Sequence, residues 1–167
     1  AIECAAVLHL ALAGGLMYAY GRVIGLSRPA ALVMAMTFML SGFLVSQAMW
    51  FTPAIGAAAW LPLGFIAVEK LFATRTAPWM AVLACVVALP VLAGWLQSWL
   101  YAMYAIWGFF GLRLVLLART PDGRSAIFRV VLLGVGAGLL GVGLAAVQLL
   151  PTLELQQLTP RRPGGLS

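Results

Sequence analysis

Few residues in this 167-residue chain can do acid, base or thiol chemistry: four carboxylates (Glu3, Glu69, Asp122, Glu154), one imidazole (His9) and two thiols (Cys4, Cys85). The usual constellations are missing, with no paired carboxylates, no Ser/His/Asp set and no phosphate-cradling glycine loop. Glu3 and His9 stand six residues apart, about 240° around a helix, so they do not share a face as an acid–base pair. The cysteines fall inside apolar runs with no His or Cys at ligand spacing. A zinc site or disulfide is therefore not expected, and both read as small hydrophobes. No metal site and no cofactor are predicted, and catalytic residues stay unassigned.

The neutral polar groups are more informative. Gln97 lies in the stretch AGWLQSWLY, residues 93–101, a lone amide among Trp95, Trp99 and Tyr101 with no charge nearby. It would cap a helix, meet water or contact a polar ligand, with Tyr101 beside it. His9 is the one ionisable group placed near mid-depth of an apolar run, and it needs a partner there: a neighbouring helix or a ligand. Asp122 and Glu69 read as solvated charges, Asp122 in a turn and Glu69 beside Lys70.

The elements that must position these groups follow from composition. With 64% hydrophobic and 8% charged residues, the chain lies far outside the range of a soluble globular domain, where about a quarter of residues are charged. Apolar runs recur along its length, and a helix needs about 20 residues to cross the ~30 Å hydrocarbon layer. Six spans are predicted at 2–20, 30–49, 54–71, 79–94, 98–117 and 127–150, forming a single helical domain over 1–167. The class is all-α, a polytopic transmembrane bundle. Pro62 and Pro90 should kink or shorten spans three and four.

Charge placement tests that topology. The net charge of +6 is not gathered into a nucleic-acid patch with stacking aromatics, and nucleic acid is excluded as a partner. Eight of the ten basic residues, Arg22, Arg28, Lys70, Arg75, Arg113, Arg119, Arg124 and Arg129, fall at loops one, three and five. Loops two and four, SQAMWFTP and GWLQ, carry none. By the positive-inside rule the odd loops are cytoplasmic and both ends of the chain lie outside, in a bacterial cytoplasmic (inner) membrane. The opening AIEC and the ending RRPGGLS suggest an internal piece of a longer membrane protein.

In the sixth span Gly134, Gly138, Gly141 and Ala145 recur at helical spacing, a small-residue face for close packing. Pro151 is expected to end that span, and the tail LLPTLELQQLTPRRPGG to lie along the outer surface from residue 151. That would set Glu154 and Arg161 at headgroup level, where an arginine fork suits a phosphate-bearing lipid.

The ordered segments LHLALAGGLMYAYGRVIGLSRPAALVMAMTFMLSGF, AAAWLPLGFIAVEKL, LAGWLQSWLY and LAAVQLLPTLELQQLTPR resemble the central part of the bacterial YfhO-like membrane proteins over nearly the whole chain. That family is similar to the GT-C glycosyltransferases, polytopic enzymes that move a sugar from a polyprenyl-phosphate lipid to a cell-envelope acceptor on the outer face. The resemblance implies a GT-C-like bundle whose catalytic acid belongs to an outer loop upstream of Ala1. Where the family often has Gly-His-Pro-Gln, this chain reads Gly94, Trp95, Leu96, Gln97. Only the glycine and Gln97 match, which favours substrate contact over catalysis for this loop. The candidate substrate-binding residues are Gln97, Tyr101, Glu154, Arg161 and His9. Two other classes compete: a multi-spanning transporter or flippase built on broken helices, and a structural membrane subunit. A transporter concentrates polar groups at the midplane and a GT-C enzyme at the outer rim, and here they lie at the rim.

Overall fold

The computed structural model describes residues 2–50, 52–92, 94, 96–120 and 123–158. Among these, every regular element is a helix: α1 Ile2–Val23, α2 Arg28–Met39, α3 Gly42–Trp50, α4 Thr52–Ala58, α5 Leu61–Thr74, α6 Ala77–Leu92, α7 Leu96–Ala118 and α8 Gly123–Leu158. Helix is what lipid demands of an apolar chain, because it satisfies each backbone donor and acceptor within its own segment. Four of the helical stretches are long and apolar enough to cross a membrane, and five if the bent pair α2–α3 counts as one; α6 is shorter at 16 residues. The protein is an all-α polytopic bundle.

Two predicted spans are interrupted. Span two bends by 48° between α2 and α3. Leu40 (φ −92°, ψ 11°) leaves the helix, with its N–H on the Met36 carbonyl at 2.9 Å. The Ser41–Gly42 step that follows is a sequence that commonly kinks helices. Span three breaks at Ala59–Trp60, so that Pro62 falls in the first turn of α5, where its missing N–H costs nothing. Pro90 stays inside α6 and is fully buried.

Helices α5 and α7 run parallel and in register. Phe65 meets Phe109 with ring centroids 5.3 Å apart, and one turn on Glu69 meets Arg113. Tyr20, near the end of α1, closes the ring set at 5.5 Å from Phe65 and 6.5 Å from Phe109. Parallel α5 and α7 require α6 to run back between them, which brings the ends of α1, α5 and α7 and the start of α6 to one pole, the basic one. Gln97, at the start of α7, then lies at the opposite pole, which carries no charge in its loops.

The small-residue face of α8 packs as expected. A Cβ on Gly141 would fall 2.6 Å from Val87 Cβ and 2.8 Å from the Ala84 carbonyl oxygen, and one on Gly134 would fall 2.6 Å from the Phe110 ring. These glycines let α8 close on α6 and α7, and Ala137 and Ala145 are buried along the same seam. The outer faces are as apolar as the core: Phe128, Leu139 and Val147 are exposed on α8, as befits side chains whose solvent is lipid.

The tail corrects the sequence reading. Pro151 does not end the helix; α8 continues through it as one 36-residue element to Leu158. The cost of a proline inside a helix is one lost N–H bond and a clash with the preceding turn. The helix carries on past the proline, and the Thr152 hydroxyl donates to the Gln148 carbonyl at 2.7 Å in the same turn. The segment after Pro151 is, as far as Leu158, a helical extension and not a loop.

Candidate functional site

The uncharged pole holds the residues singled out from the sequence. Gln97 and Tyr101 both lie in the first turns of α7, four residues apart and therefore on one face. The Gln97 amide Nε2–H donates to the Tyr101 hydroxyl at 3.2 Å. Both side chains are exposed, Tyr101 by 58%. The bond therefore orients the pair, and among the described residues no further hydrogen bond engages the amide carbonyl or the phenolic hydrogen.

Beside them is a cleft of about 130 Å³ lined by Phe43 of α3, Ala58 of α4, Leu61 of α5, and Ser98, Tyr101 and Ala102 of α7. One wall residue each comes from α3, the end of α4 and the start of α5, and the rest from the first turns of α7. Ser98 is its buried hydroxyl, 8% exposed. The wall is otherwise apolar, with the polar groups confined to the rim.

A single indole holds this end of α7 in place. Trp99 Nε1–H donates to the Val87 carbonyl of α6 at 2.9 Å. A carbonyl oxygen has two lone pairs, so that of Val87 can take the indole N–H beside its bond within α6. Trp99 also packs with Ala88, Val91, Ala145 and Leu149, so it joins α6, α7 and α8. Interfacial aromatics thus serve internal contacts here as well as anchoring.

The other candidates are not gathered into this site. His9, on α1, gives its Nδ1–H to the Ala5 carbonyl of the same helix at 2.7 Å. One turn of α1 thus supplies the acceptor expected from a neighbouring helix. Glu154 is exposed on α8, beyond Leu150 at the uncharged pole, and among the described residues no hydrogen bond joins it to Gln97 or Tyr101. Arg161 and Trp95 lie outside the described residues, as does Asp122. Among the described residues no group of three or more His, Cys, Asp or Glu is arranged to hold a metal.

Sequence reasoning missed the principal charged contact. Glu69 is not a solvated loop charge: its carboxylate lies 2.7 Å from Arg113 Nη2, the side chain only 16% exposed, and the Arg113 guanidinium stands 5.9 Å above the Phe72 ring. The signal was in the alternation of spans. Glu69 precedes the end of α5 (Thr74) by the same interval as Arg113 precedes the end of α7 (Ala118). Two opposite charges at equal depth on parallel helices are placed to meet.

Neither a curated protein nor a solved structure matches the chain. A family model does, that of the bacterial membrane protein YfhO, over residues 1–161. An apolar helical bundle with broken helices around a rim of neutral polar groups, matched by that model along almost its whole length, makes this chain a member of the YfhO family of bacterial membrane proteins.

Proposed function

We propose that the uncharged pole faces outward from a bacterial inner membrane and receives the sugar of a polyprenyl-phosphate donor for transfer to a cell-envelope acceptor. The observation that carries this reading is the Gln97–Tyr101 pair at the rim of the apolar cleft. A sugar presents hydroxyls to an amide and a C–H face to an aromatic ring, and a prenyl chain suits walls such as Phe43, Leu61 and Ala102. Arg161 would add a fork for the phosphate and Glu154 an acceptor at the headgroup layer, about 6 Å beyond Leu150 along α8. Under this topology α2–α3 and α4–α5 each count as one crossing, α6 is a short one, the piece spans six times as a single domain and both ends are outside.

The test is transfer of radiolabelled sugar from polyprenyl-phosphate in membranes bearing the protein. Gln97→Ala and Arg161→Ala should each lower kcat/KM by about tenfold, the worth of one well-placed hydrogen bond to substrate, with insertion and abundance unchanged. Wild-type turnover in both variants overturns the assignment.

A second reading, a lipid transporter or flippase, is favoured by one observation: span two is broken by a 48° bend between α2 and α3. It predicts flux of fluorescent lipid across reconstituted vesicles without any sugar transfer.

A further inference from the structure

The basic pole carries a second cleft, larger than the first, that the sugar-transfer reading does not use. It has a volume of about 240 Å³ and is lined by Phe72 and Ala73 of α5, Arg113, Leu116 and Leu117 of α7, and Thr120 in the turn beyond. Its chemistry is that of an amphiphile receptor: apolar walls, with a guanidinium and a hydroxyl as the polar groups.

Arg113 is not used up by Glu69. One guanidinium nitrogen contacts one carboxylate oxygen, the side chain remains 34% exposed, and Nε is buried with no acceptor among the described residues. A guanidinium has five N–H donors in a fork, and single-point contact with a carboxylate leaves most of them for another oxyanion. Around the cleft basic residues outnumber acidic ones. Lys70, Arg75 and Arg119 lie at the same helix ends, and Glu69 is the sole acid among the described residues there, already neutralised by Arg113. The C-termini of α5 and α7 contribute partial negative charges that oppose an anion, but fractional dipole charges stand against three further whole cations.

We propose that this cleft is a binding site for the headgroup of an anionic phospholipid: the phosphate on the exposed edge of Arg113, the glycerol near Thr120, and the first acyl carbons against Phe72, Leu116 and Leu117. Depth agrees, because Arg113 lies about 7.5 Å from the end of α7, within reach of the headgroup and glycerol layer, and basic pockets between membrane helices suit such lipids. The proposal concerns the pole opposite the Gln97 cleft and stands or falls apart from sugar transfer.

The experiment is native mass spectrometry of the purified protein with phosphatidylglycerol or phosphatidylcholine added at equal ratio. The wild type should retain phosphatidylglycerol over phosphatidylcholine by about tenfold, in line with one to two cationic contacts. Ala73→Trp fills the cleft from an exposed position while leaving the Glu69–Arg113 pair intact, and should bring the two lipids to parity. Arg113→Lys, which keeps the charge but removes the fork, should fall between. Equal retention in wild type and Ala73→Trp overturns the proposal. Complete displacement of the lipid by excess inorganic phosphate also overturns it, because the site would then read phosphate alone. A change of oligomeric mass in Ala73→Trp with unchanged lipid retention would instead assign the cleft to a second copy.

Discussion

The two poles of the bundle solve the same problem, how to keep polar side chains at the edge of lipid, by opposite means. At the basic pole a full charge pair, Glu69–Arg113, bridges two helices and is roofed by the Phe72 ring. At the uncharged pole two neutral groups, Gln97 and Tyr101, bond within one helix and stay exposed. A buried charge cannot be left alone, so the first arrangement fixes α5 against α7. A neutral exposed pair can break and reform at little cost, so the second leaves its atoms available to a visitor. On this contrast the Glu69–Arg113 pair couples two helices, whereas the Gln97–Tyr101 pair couples none.

The contrast predicts a graded series. Removing one ion-pair partner leaves a charge at membrane depth: Arg113→Ala should destabilise by about 2–4 kcal/mol, the lower part of the range for buried pairs because Arg113 is partly exposed. The double variant Glu69→Gln/Arg113→Gln should recover most of that loss, measured by thermal unfolding in detergent; no recovery would mean the pair is not the coupling element. Next comes the seam between the poles. Gly141→Ala places a methyl against Val87 and the Ala84 carbonyl, and should cost about 1–3 kcal/mol by overpacking, whereas Gly143→Ala, which meets nothing, should not. At the uncharged pole Trp99→Phe removes the bond to the Val87 carbonyl and should cost about 1 kcal/mol. The smallest effect belongs to Tyr101→Phe, about 0.5 kcal/mol or less for one exposed hydrogen bond. A larger loss there would erase the distinction between the poles.

What could be read from the chain depended on range. The all-α class and the glycine seam of α8 follow from composition and local spacing, and both needed only one helix at a time. Gln97 and Tyr101 were legible for the same reason, being one turn apart. The Glu69–Arg113 contact was not, because the neighbouring Lys70 offered a local explanation of Glu69 while the real partner lay on a helix 44 positions away. The bend at Leu40–Ser41 has no proline to announce it; it follows from a Ser–Gly step that propensity alone weighs lightly. Pro151 misled in the other direction, since a helix can carry a proline at the cost of one N–H bond, as α6 does at the buried Pro90 and α8 at Pro151.

That last helix makes bilayer thickness a variable for this protein. Thirty-six residues of α8 extend about 54 Å, more than the ~40–45 Å of an entire bilayer with its headgroups, and the glycine seam clamps the helix to α6 so that it cannot tilt freely. Held at that fixed angle, the helix acts as a gauge rod. Longer acyl chains would draw Glu154 down among the headgroups and shorter ones would lift it clear into water, so the membrane's own composition would set how far that end of the rod stands above it.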